Sequence, residues 1–149
     1  MDNNISIDAN ANVYIAGWTN SGNLPTQNLA GAYNDASISG SEDMFILKFD
    51  TAGIRKWATY YGGGGSQESA DAITVDSALN VYITGTTNSS DFPVQDHLPG
   101  GTGAFYQPAK TGGTDSYILK FNPLGVRQWA SYYGGSGNDS LDGGDGIDV

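Results

Sequence analysis

The chain contains one pattern of 21 residues twice, and this duplication limits the folds that it can adopt. Residues 43–63 and 115–135 are identical at 13 of 21 aligned positions, at a constant offset of 72 residues. Each copy has two runs rich in Ile, Phe, Tyr and Trp, joined by a short segment with Gly near its end, and this is the pattern of a β-hairpin. Self-similarity at such a period is typical of stacked or radial repeat proteins.

A second pair of segments precedes the hairpins. Residues 5–25 and 73–93 are identical at 11 of 21 positions, at an offset of 68 residues. Each begins with two short apolar runs around a tight turn that Asp8 or Asp76 opens, where a carboxylate accepts backbone N–H groups two residues on. We therefore expect two repeats within a domain of residues 1–133, at about residues 5–61 and 72–133.

Two long connections, residues 18–42 and 86–114, separate the paired segments. Loops of this length are usually functional or disordered. Matching dipeptides predict that both are ordered and packed against their repeats, and the four-residue increase in offset lies within them. The matched dipeptides are Leu24-Pro25 with Phe92-Pro93, and Ala32-Tyr33 with Phe105-Tyr106.

Period-two alternation in the hairpins predicts strands buried between layers. Phe45, Leu47 and Phe49 are all large and apolar, while the opposite face carries Ile46 and Lys48. We expect Trp57 and Trp129 to occupy equivalent buried positions in the last strand of each repeat, with the indole N–H bonded to a carbonyl.

Four antiparallel strands per repeat make a β-propeller blade. The expected fold class is all-β, with two four-stranded antiparallel β-propeller blades forming a partial propeller, followed by a Gly/Asp-rich turn segment. Propellers need about 4 to 8 blades. We therefore expect the chain to be a fragment that packs against neighbouring blades of a longer chain, or to self-associate.

Motifs over residues 5 to about 135 resemble the bacterial SBBP β-propeller repeats. Residues that match the family pattern are Asp76, Asn80, Gly85, Phe92, Pro93, Asp115, Lys120, Trp129 and Gly134. Ala11 and Leu79 depart from it, because they occupy a turn position where the family usually has Gly, and Leu24 stands where Phe is expected. The resemblance implies a bacterial extracellular or cell-surface location, a binding function and no catalytic residues.

Composition restricts the partners. The chain has 16 acidic and 6 basic residues, a formal net charge of −10, which argues against nucleic acid and anionic membranes. There is no cysteine, so no disulfide or thiolate metal site can form. No apolar run is long enough for membrane insertion, and Met1–Ile5 lacks the basic start and the apolar core that a signal peptide has. The extracellular expectation therefore rests on the family resemblance.

Candidates for catalysis are weak. The one histidine, His97, follows Asp96 in a loop, and no serine in a strained turn accompanies it. Glu42, Asp91 and Asp96 supply carboxylates of the kind that cleave glycosidic bonds, but nothing in the sequence fixes their spacing. The glycine-rich segment 62–66 lacks the Lys-Ser/Thr pair of a phosphate loop and is interpreted as an inter-blade turn.

Aromatic residues in or beside the long connections form the better candidate for ligand binding. These residues are Trp18, Tyr33, Phe92, Phe105 and Tyr106. Their rings, with nearby Asn and Asp, suit sugars or peptides, or else they anchor the loops to the sheets. The preferred function is a non-enzymatic extracellular binding or scaffold module with a protein or glycan partner at the cell surface. A polysaccharide-active lyase or hydrolase remains the alternative, by analogy of fold alone.

The C-terminal segment, residues 134–149, resembles the nonapeptide calcium-binding repeats of RTX proteins. Glycine allows the tight turns, and aspartate supplies hard oxygen ligands for Ca²⁺. The predicted calcium-site residues are Gly134, Gly135, Gly137, Asp139, Gly143, Gly144, Asp145 and Asp148. The alternative interpretation is an acidic turn that begins a third blade.

Overall fold

The computed structural model describes residues 4–97 and 104–140, which form two separate four-stranded antiparallel sheets. The first sheet contains, in spatial order, β1 (Ile5–Ile7), β2 (Val13–Thr19), β3 (Asp43–Phe49) and β4 (Arg55–Tyr61). The second contains β5 (Ala72–Val75), β6 (Val81–Thr87), β7 (Asp115–Phe121) and β8 (Arg127–Tyr133). These ranges contain no helix, so the all-β fold class with two four-stranded sheets is confirmed.

Within the same ranges, no helix has the length and apolar character needed to cross a lipid bilayer.

All four hairpins turn in the same way. The first residue of each turn is Asp8, Asp50, Asp76 or Asn122, and its Oδ1 accepts N–H groups two and four residues on, at 2.8–3.0 Å. The fourth residue is left-handed, with φ of 59° at Ala11, 74° at Gly53, 65° at Leu79 and 74° at Gly125. Ala11 and Leu79 therefore keep the turn geometry of the glycine-containing copies.

The main core lies between the two sheets. In β3, Met44 and Ile46 face the second sheet and are fully buried, whereas Phe45 and Leu47 on the opposite face are half-buried. In β7 the alternation is reversed, and the buried residues are those that face the first sheet. These residues are Tyr117, Leu119 and Phe121. One pleated surface from each sheet therefore supplies the core, as period-two alternation predicts.

A β-bulge in each outer hairpin, β3–β4 and β7–β8, changes the direction in which the side chains of β4 and β8 point. The register shifts between Lys48 and Phe49, which pair with Trp57 and Arg55 respectively, so Lys56 is the extra residue. An extra residue reverses the alternation beyond it, because side chains of a strand alternate with period two. Arg55 and Trp57 consequently face opposite sides of the first sheet, and the same shift occurs between Lys120 and Phe121 in the second.

We use the term joint for the contact that holds the two sheets together. Its centre is aromatic: Phe121 of the second sheet packs edge-on against Trp57 and Tyr61 of the first, with ring centroids 5.3 and 6.0 Å apart. Arg127 Nη1 donates to the Tyr61 hydroxyl at 3.0 Å and to the Pro93 carbonyl at 2.9 Å. The joint therefore combines a ring cluster with a partly buried hydrogen-bond network.

Candidate functional site

The long connections β2–β3 and β6–β7 lie at the same end of the two sheets, and we call this the loop end. Each connection is fixed to the outer strand of its own sheet. Gln27 bridges to Ala58, and its side-chain oxygen accepts Arg55 Nε–H at 3.1 Å. In the second repeat, the corresponding Gln95 accepts from Arg127 Nε at 3.0 Å. The described parts of both connections are thus ordered, as their shared dipeptides predict.

Hydrogen bonds correct the sequence alignment of the two connections. The indole N–H of Trp57 donates to the carbonyl of Tyr33 at 2.8 Å, and that of Trp129 donates to the carbonyl of Phe105 at 3.2 Å. Tyr33 therefore corresponds to Phe105, not to Tyr106. The offset is 68 residues at Gln95 (95 minus 27) and 72 at Phe105 (105 minus 33), so the four extra residues lie between them.

Two of the five aromatic residues proposed for ligand binding lie in the joint. Phe92 is 2% exposed, and its ring centroid lies 4.6 Å from that of Tyr117 and 5.2 Å from that of Tyr61. Tyr33 is half-buried, 4.7 Å from the ring of Tyr61, and burial raises the pKa of its hydroxyl to about 12. Both side chains anchor a connection to the core, which is the alternative that the sequence left open.

The other three are accessible to a ligand. Trp18 is 57% and Phe105 is 55% exposed, and Tyr106 is half-buried. The ring of Phe105 lies 5.5 Å from that of Tyr133, which is itself 61% exposed. We call Phe105, Trp129 and Tyr133 the aromatic patch. Sequence reasoning missed Tyr133, because Tyr133 and Tyr61 stand in the same Tyr-Tyr-Gly-Gly motif. The sequence does not show that Tyr61 is buried in the joint whereas Tyr133 is exposed.

Buried carboxylates also lie at the loop end. Glu68 is 1% exposed, and its Oε1 accepts hydrogen bonds from the hydroxyls of Thr87, at 2.8 Å, and Ser89. Its Oε2 is buried and has no hydrogen-bond partner among the described residues. Burial raises the pKa of Glu68, and the charges of Asp43 and Asp91 add to this effect. Nothing in the sequence marked Glu68, since it follows a glycine-rich linker typical of exposed chain.

Asp43 has a structural role in its connection. Its carboxylate is buried and accepts the N–H groups of Ser39 and Gly40, at 2.9 and 3.2 Å. Burial raises its pKa even though these two hydrogen bonds oppose the shift. Asp115 holds the second connection in the same way through Thr111.

The residues considered for catalysis lie in different surroundings. Asp91 accepts the N–H of Gly64 at 2.8 Å, and so fixes the inter-blade turn to the second sheet. Glu42 and Asp96 are half-buried, and His97 is exposed. No group of three or more His, Cys, Asp or Glu side chains suited to a metal ion occurs in residues 4–97 and 104–140.

The described part of the C-terminal segment continues the repeat geometry. Gly112 packs against the carbonyl of Gly137 as Gly40 packs against that of Gly65 in the first repeat. Gly135 donates its N–H to Asp139 Oδ2 at 2.8 Å. The Thr111 hydroxyl donates to the carbonyls of two predicted calcium-site residues, Gly134 and Gly135. The remaining four, Gly143, Gly144, Asp145 and Asp148, lie outside the described residues.

Comparisons with known proteins agree with this geometry. A family model described as the SBBP beta-propeller repeat matches residues 2–25 and 56–93. An uncharacterized WD repeat-containing protein of Acanthamoeba polyphaga mimivirus is 28% identical over 114 residues, which cover 66% of this chain and 8% of that protein. The chain thus spans a small part of this relative. Together with the two sheets, these similarities support a repeat module of β-propeller type.

Proposed function

We propose that the chain is a non-enzymatic binding or scaffold module of an extracellular or cell-surface β-propeller protein. The observation that carries the proposal is the exposure of large aromatic rings on a rigid frame. Trp18 and Phe105 are both more than half exposed, although Trp18 lies in strand β2 and the Phe105 carbonyl accepts the indole N–H of Trp129. Binding residues are often found on loops that a rigid scaffold positions.

The chemistry of this surface favours a neutral or basic ligand, either a glycan or a protein. Aromatic rings offer large contact area at a low cost in conformational entropy and stack on apolar faces of a partner. The net charge of −10 repels acidic ligands and attracts basic ones.

Binding to a glycan array and to bacterial surface proteins tests the proposal. In dilute, monomeric samples, in which Phe105 is exposed, we expect Trp18→Ala or Phe105→Ala to lower affinity at least tenfold for whichever class binds. Leu124→Ala is the matched control, because Leu124 is a 63% exposed apolar side chain in the turn at the opposite end of the sheet. Equal binding by all three variants would contradict the proposal. Release of oligosaccharide from a bound glycan would instead favour the enzyme alternative.

We also propose that the C-terminal segment binds Ca²⁺ weakly on its own. Asp139, Asp145 and Asp148 would supply carboxylate oxygens, which Ca²⁺ prefers. Support comes from the glycine and aspartate spacing, while the geometry of residues 134–139 equally suits the start of a third blade. Calorimetric titration with Ca²⁺ should give millimolar binding that Asp139→Asn and Asp148→Asn abolish. Equal heats with Mg²⁺, or no heat, would leave the third-blade interpretation.

A further inference from the structure

The joint has two different halves, and each repeat carries both of them. The first sheet contributes Trp57 and Tyr61 from β4 and Tyr33 from its connection. The second sheet contributes Phe121 from β7 and Arg127 from β8. Because the bulge directs Arg and Trp of the same outer strand to opposite faces, every sheet has the Trp–Tyr half on one face and the Phe–Arg half on the other.

In residues 4–97 and 104–140, no other sheet covers the Trp–Tyr half of the second sheet. It is the aromatic patch, in which Trp129 corresponds to Trp57, Tyr133 to Tyr61 and Phe105 to Tyr33. Tyr61 is fully buried in the joint, whereas Tyr133 is 61% exposed. Trp57 is 1% exposed, and Trp129 is half-buried. An apolar surface of this kind marks an interaction site on a soluble protein.

The Phe–Arg half of the first sheet is likewise not covered by any other described strand. Phe49 corresponds to Phe121 but is only half-buried, and Arg55 corresponds to Arg127. Arg55 Nη1 donates to the carbonyl of Pro25, as Arg127 Nη1 donates to that of Pro93. The first sheet therefore already holds its arginine in the conformation that the joint uses.

Glycine in the outer turn shows the same difference between a covered and an open face. A methyl group added to Gly125 would lie 3.0 Å from Ala32 and 3.2 Å from Trp57 of the first sheet. A methyl group added to Gly53, the corresponding residue, would meet nothing within 4 Å. Gly53 thus stands at the position whose counterpart, Gly125, contacts Trp57 in the joint, and no described residue of this chain covers it.

We propose that a second copy of this chain docks head to tail through these surfaces, with its aromatic patch on the Phe–Arg half of the first sheet. The Tyr133 hydroxyl of the docking copy then donates to the Pro25 carbonyl and accepts from Arg55, as Tyr61 does with Pro93 and Arg127. The continuity with an existing interface in the same chain selects this occupant, because the two free surfaces correspond residue by residue to the two halves of the joint.

Substitutions between the repeats are compatible with this docking. In the joint, the Tyr117 hydroxyl contacts the sulfur of Met44 at 3.2 Å. At the proposed interface Phe45 replaces the tyrosine, so the donor is absent, and Ser116, which replaces the methionine, donates its hydroxyl to the Asp139 carbonyl at 3.3 Å. The substitutions therefore leave no buried tyrosine hydroxyl or serine hydroxyl without a partner at this position.

The interface is heterologous, and such contacts form closed rings or open filaments. Each copy adds two blades, and propellers close with about 4 to 8. We therefore expect discrete assemblies of two to four copies. The oligomeric mass, measured by sedimentation velocity and light scattering, should rise with concentration from 15.6 kDa to such a multiple.

Two variants block the two surfaces separately. Tyr133→Glu places a charge in the aromatic patch at an exposed position, and Gly53→Asn fills the open surface with a residue that tolerates a left-handed φ. Each variant alone should stay at 15.6 kDa with the circular dichroism of the unmodified chain. Leu124→Glu is the matched control, because its exposed side chain lies on neither surface, and it should associate normally.

Mixing the two variants tests the direction of docking. Tyr133→Glu retains an intact Phe–Arg half, and Gly53→Asn retains an intact aromatic patch, so an equimolar mixture should form complexes of two chains and stop there. A mass of 15.6 kDa for the unmodified chain at every concentration would overturn the proposal and leave the surfaces to blades of different sequence. Normal association of either single variant, or no complex in the mixture, would also overturn it.

Discussion

The hairpin turns show what a single side chain changes when the backbone is kept constant. All four turns place their fourth residue in the left-handed region, but two use glycine and two use Ala11 and Leu79. A side chain in this conformation costs roughly 1–2 kcal/mol, because Cβ approaches the following carbonyl oxygen. The hydrogen bonds of Asp8 and Asp76 keep the turns of the first hairpins closed despite this cost.

Glycine at these two positions should therefore stabilise the protein. For Ala11→Gly and Leu79→Gly we expect the free energy of unfolding to rise by about 0.5–1 kcal/mol each, since relief of strain exceeds the extra entropy of the unfolded chain. Gly53→Ala is the reverse control and should lower it by about 1 kcal/mol. Denaturant midpoints give these values. A loss of stability in Leu79→Gly would show that its side-chain contacts outweigh the strain.

Burial of Glu68 makes stability depend on pH. Its pKa is raised by burial, so the folded state holds the proton to a higher pH than the unfolded chain does. The stability linked to this group is fully present below the unfolded pKa and is lost as pH rises through the folded pKa. Asp8 behaves in the opposite way, because hydrogen bonds from Asn12 and Asn10 outweigh burial and lower its pKa.

The variant Glu68→Gln should remove this dependence and keep an acceptor for Thr87 and Ser89. We expect its free energy of unfolding, relative to the unmodified protein, to increase from pH 4 to pH 8, the range in which carboxyls with raised pKa ionise. Urea unfolding across this range measures the difference. Parallel curves for both proteins would mean that Glu68 titrates normally.

At the scale of the strand, equivalent residues experience different environments. Trp57 and Trp129 occupy the same position in β4 and β8 and make the same indole hydrogen bond, yet among the described residues a neighbouring sheet covers Trp57 and none covers Trp129. The prediction of equivalent positions is confirmed, whereas equal burial is wrong for the isolated chain. Burial depends on the next sheet, and this information is not in the strand's own sequence.

Alanine substitution should separate the two tryptophans. In dilute, monomeric samples, Trp57→Ala should cost about 3–5 kcal/mol, as for other large core side chains. Trp129→Ala should cost about 1–2 kcal/mol, because a half-exposed ring loses less transfer free energy. Guanidinium unfolding measures both. Equal costs in samples shown to be monomeric would contradict the burial described here.

The elements themselves were largely predictable. Short apolar runs and period-two alternation place the eight strands, and the turns follow from Asp8 and Asp76, since these signals are local in sequence. The bulge at Lys56 was not predictable, because pairing across strands decides it. The match of Tyr33 with Phe105 was missed for a similar reason, since tryptophan hydrogen bonds, and not neighbouring residue types, fix it.

At the scale of the whole molecule, the local stability of a strand depends on whether a neighbouring sheet covers it. Strands β1 and β5 are counterparts in sequence, but Ile5 and Ile7 are 52% and 63% exposed while Ile73 is fully buried. We expect the amides of β5 to exchange with solvent at least tenfold more slowly than those of β1, because exchange follows local burial and packing. Hydrogen-exchange mass spectrometry on a monomeric sample measures this ratio. Similar rates in the two strands would mean that β1 is covered in solution.

The bulge in the outer hairpin has a consequence for how such a gene can lengthen or shorten. Each repeat carries both halves of the joint, with Arg55 on one face of its sheet and Trp57 on the other. Duplication or loss of a whole repeat therefore leaves matching halves on the repeats that become neighbours. Insertion or deletion of one residue between Arg55 and Trp57 would turn one of the two side chains to the opposite face of the sheet, and the repeat would then lack one half of the joint. Length differences are accommodated elsewhere, as in the four extra residues between Gln95 and Phe105.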